Sequence, residues 1–129
     1  MDNPSFSDPL QPQPDYNLEV CILASGSKGN AIYVSGGSTS ILIDAGLSGI
    51  EIERRLNSKG LYPEHLDAIL VSHEHTDHIQ GVGVLSRRFN LPVYMNSKTE
   101  SAALSQLGTV RVIKNFECGS PFMIKDLFI

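Results

Sequence analysis

The stretch Leu66-Asp67-Ala68-Ile69-Leu70-Val71-Ser72-His73-Glu74-His75-Thr76-Asp77-His78 runs from an apolar segment directly into three of the chain's four histidines. Ile69, Leu70 and Val71 are consecutively apolar, the pattern of an inner strand covered on both faces, so Leu66 to Ser72 is expected to be a strand. On extended backbone His73 and His75 point the same way, because side-chain direction repeats every two residues. The turn into a following helix can bring Asp77 and His78 around the same space. Neutral imidazoles with a carboxylate form the ligand set of zinc and similar divalent ions. The alternative, a polar loop whose histidines merely meet solvent, does not account for this spacing at a strand-to-helix junction.

Outward from this stretch the chain alternates short strands with amphipathic helices. Leu18 to Ala24, Ala31 to Ser35 and Ile41 to Asp44 read as strands, the second and third joined by a hairpin at Gly36-Gly37. Ser48 and Glu51 fit a capping box, Leu47 and Ile52 a hydrophobic staple, and Gly60 a C-terminal stop, which predicts a helix from about Gly49 to Lys59. A second helix is expected from about His78 to Phe89, where Ile79, Val82, Leu85 and Phe89 recur at helical spacing. Val93 to Met95 and Val110 to Ile113 are strand-like, and between them Ser97 and Glu100 predict a capped helix closing at Gly108. Phe122 to Ile129 carries two apolar triplets around Lys125 and Asp126 and reads as sheet structure.

At 129 residues, 41% hydrophobic and 19% charged, the composition supports one domain with a substantial core. No apolar run approaches the roughly 18 residues of a bilayer span, and no export signal precedes the first strand, so a cytoplasmic protein without membrane contact is expected. Residues 1 to 17 hold four of the seven prolines and three aspartates without a Lys or Arg, which predicts a disordered leader ahead of a domain over 18 to 129. The leader carries most of the net charge of −4; the body is nearly balanced and gives no general basis for avid nucleic-acid binding. Cys21 and Cys118 lack any CxxC or CxxH partner and read as reduced structural thiols, and His65, in the Tyr62-Pro63-Glu64-His65 loop, as a surface histidine. Arg54-Arg55 and Arg87-Arg88 read as solvated helix faces or, alternatively, as contacts to a phosphate backbone.

His73-x-His75-x-Asp77-His78 after an apolar strand resembles the signature of the metallo-β-lactamase superfamily. The resemblance implies an α/β fold, the N-terminal part of an αββα sandwich with a mono- or dinuclear metal site between its sheets. Asp44, ending Leu42-Ile43-Asp44-Ala45-Gly46, matches the family's earlier aspartate, which supports the site by hydrogen bonding. Ala24-Ser25-Gly26-Ser27-Lys28-Gly29-Asn30 and Ser72 to Gly81 are similar to the YycJ/WalJ branch, regarded as metal-dependent exonucleases acting on DNA. The Ser-Gly-Ser-Lys-Gly-Asn segment lacks P-loop spacing and stays open between a tight turn and a substrate contact.

By that resemblance His73 and His75 bind a first metal ion, and Asp77 and His78 a second, zinc first with manganese or iron as alternatives. The nucleophile is a metal-activated hydroxide, since coordination lowers the pKa of water from 15.7 toward about 7, and Asp77 is the catalytic residue that orients it. A helix starting near His78 would also favour an anionic phosphate oxygen through its free N–H groups. The family completes its site with later ligands, whereas this sequence has no histidine after His78. The expectation is therefore a chain truncated before those motifs, binding metal weakly on its own and prone to self-association through uncovered sheet. Beside the DNA phosphodiesterase stand two other readings: a metallo-hydrolase of RNA, thioester or lactam, and a truncated non-catalytic module.

Overall fold

In the computed structural model the described residues are 18–110 and 112–129; the expected leader at 1–17 lies outside them. Period-two alternation of apolar side chains organises a six-stranded sheet in the order β1-β2-β3-β4-β5-β6. Its strands are β1 Glu19–Ala24, β2 Ala31–Gly36, β3 Thr39–Ile43, β4 Ala68–Leu70, β5 Val93–Met95 and β6 Ile113–Asn115. The first three pair antiparallel, with the β2–β3 hairpin closing Gly36 against Thr39 over Gly37 at φ 60°. From β3 onward the pairing is parallel, with Leu42 opposite Ile69 and Ile69 opposite Val93.

Helices cover one face of the sheet. They are α1 Gly49–Ser58, α2 Thr76–Ile79, α3 Val82–Phe89 and α4 Ser97–Leu107. Leu42, Ile69, Val71, Val93 and Met95 point toward them and share a core with Ile52, Leu56, Val82, Leu85, Ala103 and Leu107. The intervening residues Ile41, Ala68 and Leu70 point to the other face, where Ile124 and Leu127 cover them from a separate hairpin, β7 Met123–Ile124 and β8 Leu127–Phe128. Both faces of β4 are thus buried, which is why its sequence is continuously apolar.

Local sequence signals account for α1. Ser48 Oγ accepts from Glu51 N–H, while the Glu51 carboxylate turns to Arg54 and Arg55 instead of closing the box. At the other end Gly60, at φ 75°, donates to Asn57 O and Leu61 donates to Leu56 O, the paired bonds of a Schellman cap.

Four expectations need correction. The strand around Leu66 to Ser72 is only Ala68–Leu70 in ladder geometry, because Pro63–His65 forms a 3₁₀ turn before it and the histidine loop begins directly after it. The helix expected over His78 to Phe89 starts at Thr76 and breaks before Val82. There Gly81 donates to Ala45 O, and a Cβ at 81 would stand 2.4 Å from Leu47 O, so close packing on the β3–α1 loop interrupts the helix. The cap of α4 is Asn96, whose side chain accepts from Thr99 N–H, and not Ser97, which is already helical. Finally, the strand expected at Val110 to Ile113 is displaced to Ile113–Asn115, and Arg111 lies outside the described residues.

Candidate metal centre

Every element of the site follows from where the strands end. β3 stops at Ile43, and Asp44 takes a left-handed φ of 64°, a conformation that aspartate tolerates better than most residues. Its N–H donates to Leu70 O, fastening the turn to β4. Asp44 is 5% exposed, and its carboxylate accepts three hydrogen bonds: Ser72 N–H at 2.7 Å, Ser72 Oγ at 2.5 Å and His78 Nδ1 at 2.7 Å. A carboxylate accepts and does not donate, so this contact puts the proton of neutral His78 on Nδ1 and leaves the Nε2 lone pair for a ligand.

The same logic reaches His73. Its Nδ1 lies 3.0 Å from Ser72 Oγ, whose hydrogen is already committed to Asp44, so the ring donates from Nδ1 and its Nε2 is the free acceptor. The rings of His73 and His78 are 4.8 Å apart between centroids, and those of His73 and His75 are 6.3 Å apart and nearly parallel. His73 and His75 are exposed, whereas Asp77 and His78 are half-buried. Asp77 Oδ2 stands 3.8 Å from His78 Nε2.

His73 and His75 on the loop and Asp77 and His78 on α2 are therefore neighbours in one short stretch, with the acceptor nitrogen of His78 oriented by Asp44 and that of His73 by Ser72, itself bonded to Asp44. Among the described residues no group of three or more His, Cys, Asp or Glu side chains is drawn tightly enough to hold an ion as the side chains stand. The donor chemistry nevertheless fits a divalent cation: two imidazoles with a fixed tautomer, a third imidazole beside them and a half-buried carboxylate. The expected anion-binding amide at His78 is overturned, since that N–H donates to His75 O inside the short α2.

A residue without a predicted role completes the arrangement. Asn30, at the end of the Ser-Gly-Ser-Lys-Gly-Asn segment, donates from Nδ2 to Asp77 O at 3.1 Å and to Asp77 Oδ2 at 3.2 Å. Its backbone N–H also donates to Asp77 O. The segment itself is a tight turn, with Gly26 N–H donating to Asn30 Oδ1 and Asn30 Nδ2 to Gly26 O. No local pattern announces a contact across 47 positions.

The other candidates lie apart. His65 is exposed on the 3₁₀ turn, and Cys21 and Cys118 are both free thiols. The paired arginines are engaged within the protein: Arg54 with Glu51, Arg55 with Glu51 and Leu23 O, Arg87 with Leu107 O and Thr109 O, and Arg88 with Glu53. Arg55, Arg87 and Arg88 act as clamps between elements, while the Arg54 pair stays within α1. No helix among the described residues is long and apolar enough to cross a membrane.

Comparison with known proteins agrees with this architecture. The family model described as Metallo-beta-lactamase superfamily matches residues 24–110, a span from the end of β1 to beyond α4 that includes Asp44 and the whole histidine loop. The chain belongs to the metallo-β-lactamase superfamily. Among individual relatives it is 52% identical over 88 residues to exodeoxyribonuclease WalJ of Streptococcus pneumoniae, covering 68% of this chain and 33% of that protein. It is 43% identical over 99 residues to exodeoxyribonuclease YycJ of Bacillus anthracis, covering 77% and 38%. The chain thus spans about a third of the length of these relatives. In three dimensions it matches the Rm3 metallo-beta-lactamase with a TM-score of 0.68 at 26% identity, covering 84% of this chain and 46% of the enzyme. A B3 metallo-beta-lactamase with an active-site glutamic acid gives 0.71 at 16% identity, over 84% and 47%.

Proposed function

We propose that this chain carries part of the active site of a metal-dependent phosphodiesterase that degrades DNA from its ends. The observation that carries the reading is the grouping of His73 and His75, on the loop after β4, with His78 in the adjoining α2, Asp44 fixing the tautomer of His78 through a 2.7 Å hydrogen bond. The names of the two exodeoxyribonuclease relatives support DNA as the substrate. We propose the cytoplasm, where chromosomal DNA is available, as its location.

His73 and His75 would hold one divalent ion, and Asp77 and His78 a second, with zinc the first candidate for an imidazole-rich set and manganese or iron the alternatives. Bound ions would supply Lewis acidity toward a phosphoryl oxygen and a water acidic enough to ionise near neutral pH. Asp77 would accept a hydrogen bond from the attacking water and hold it in line. Asp44 keeps the acceptor nitrogen of His78 directed away from itself, and Ser72 does the same for His73. Four donors leave two ions short of full shells, so further ligands would be needed to complete them.

The test is turnover of end-labelled DNA by the protein expressed from its complete reading frame, run beside RNA, a thioester and a β-lactam. Chelator-sensitive release of mononucleotides from DNA ends is expected. Preference for RNA would keep the phosphodiesterase and overturn DNA as its substrate, preference for the thioester or the β-lactam would keep a metallo-hydrolase and overturn the nuclease, and inertness toward all four would favour a non-catalytic module.

A further inference from the structure

The Ser25 to Asn30 turn lies far from the histidine loop in sequence, yet its last residue bonds Asp77 three times. Asn30 N–H reaches Asp77 O at 2.8 Å, and Asn30 Nδ2 reaches Asp77 O at 3.1 Å and Asp77 Oδ2 at 3.2 Å. The turn is itself held against the β3–α1 loop: Gly46 N–H donates to Asn30 O, and Gly46 packs so closely on the Asp77 carbonyl that a Cβ there would fall 1.7 Å from its oxygen. Asp77 is consequently fixed at both its backbone and its carboxylate, from one side, by a single residue. An amide is the side-chain type this task requires. Its nitrogen supplies two uncharged hydrogens for three acceptors, Gly26 O, Asp77 O and Asp77 Oδ2, so that one hydrogen is shared, and its oxygen accepts Gly26 N–H.

We infer that Asn30 is a positioning residue for Asp77: its amide sets which carboxylate oxygen of Asp77 is offered to a divalent cation. This rests on the metal-centre reading above. Hydrogen bonds to a ligating carboxylate tune its orientation and its affinity, and losing one costs about 10- to 100-fold in metal binding. Asn30→Asp keeps part of the turn, since the new carboxylate still accepts Gly26 N–H and the backbone contact to Asp77 O persists, while the amide donations to Gly26 O and to Asp77 are lost and a like charge faces Asp77.

The test is a titration with Co²⁺ alone, followed by its visible absorption, on the metal-stripped protein expressed from its complete reading frame. Asn30→Asp and the uncharged Asn30→Ser are compared with the parent. The expected result is an about 10- to 100-fold weaker affinity for one Co²⁺ in Asn30→Asp, a smaller loss in Asn30→Ser, an altered absorption band, and a near-UV circular dichroism spectrum like the parent's. Unchanged affinity and spectrum in both variants would overturn the assignment while leaving the metal centre intact. Failure of both variants to fold would make Asn30 a structural residue and overturn it as well. A parent protein that takes up no Co²⁺ would overturn the metal reading and this assignment together.

Discussion

Asp44 Oδ2 and His78 Nδ1 are 2.7 Å apart, joining the end of β3 to the histidine loop across 34 positions of sequence. The bond sits beside two others from Ser72 on the same buried carboxylate. Replacing Asp44 by Ala would strand three donors and put a Cβ-bearing residue without a local polar contact at φ 64°. The expected loss is about 2 to 5 kcal/mol of stability. Asn at the same position tolerates the backbone and can still accept, so Asp44→Asn should lose less than Asp44→Ala in urea unfolding. Equal losses would show that neither the backbone conformation nor the retained acceptor matters at this position, only the carboxylate charge that both variants remove.

Gly46 offers a sharper steric test. A methyl group there would meet the Asp77 carbonyl oxygen at 1.7 Å, a backbone atom held by Asn30 on its other side. Gly46→Ala should therefore reach or exceed about 3 kcal/mol of destabilisation, the upper end of ordinary overpacking, and should weaken metal uptake with it. Gly26→Ala is the contrast: no atom lies within 4 Å of its Cβ position, and only the φ of 126° opposes it. Equal melting temperatures for Gly46→Ala and the parent would contradict this packing.

Acid should loosen the β7–β8 hairpin first. The Asp126 carboxyl is lowered from 3.8 to about 2, first by the Thr39 hydroxyl and then by the Ser38 N–H, which ties the hairpin turn to the β2–β3 turn. Its folded value lies below its unfolded value, so the stabilisation is complete above pH 3.8 and is lost as the pH falls toward 2. Asp126→Asn should flatten the stability profile across that interval. An unchanged slope would show that the latch contributes nothing.

Strand β1 is a sheet edge, and Val20 and Ile22 are 60% and 63% exposed on the side that carries Val34 and Ile32 opposite them. An exposed apolar edge pairs with other chains, and a charge on it opposes that pairing. The isolated 129-residue chain should self-associate, and Ile22→Lys should shift its elution toward the monomer. A monomeric parent chain at tens of micromolar would contradict this.

The parts of the fold written in short-range patterns were legible in the sequence. Ser48, Ile52, Leu56 and Gly60 delimit α1 because capping and burial depend on neighbours three or four residues away. The histidine cluster was legible because its spacing and its preceding apolar strand are local too. What escaped was set by distant contacts. Gly81 breaks a periodic helix because the β3–α1 loop presses on it, and Asn96 and Ser97 are adjacent residues of equal capping ability, between which only the backbone leaving β5 decides. Arg55 and Arg87 find carbonyls on other elements, Arg88 finds the Glu53 carboxylate on α1, and Asn30 finds Asp77, through folding alone.

The most direct test of the metal centre is ion content and affinity, measured by equilibrium dialysis against Zn²⁺ on the protein expressed from its complete reading frame, with His73→Ala and His78→Ala beside it. The parent should retain up to two ions per chain. Each variant should bind at least about tenfold more weakly, with His78→Ala also freeing Asp44 from its partner. Undiminished Zn²⁺ binding in both variants, or none in the parent, would contradict the account.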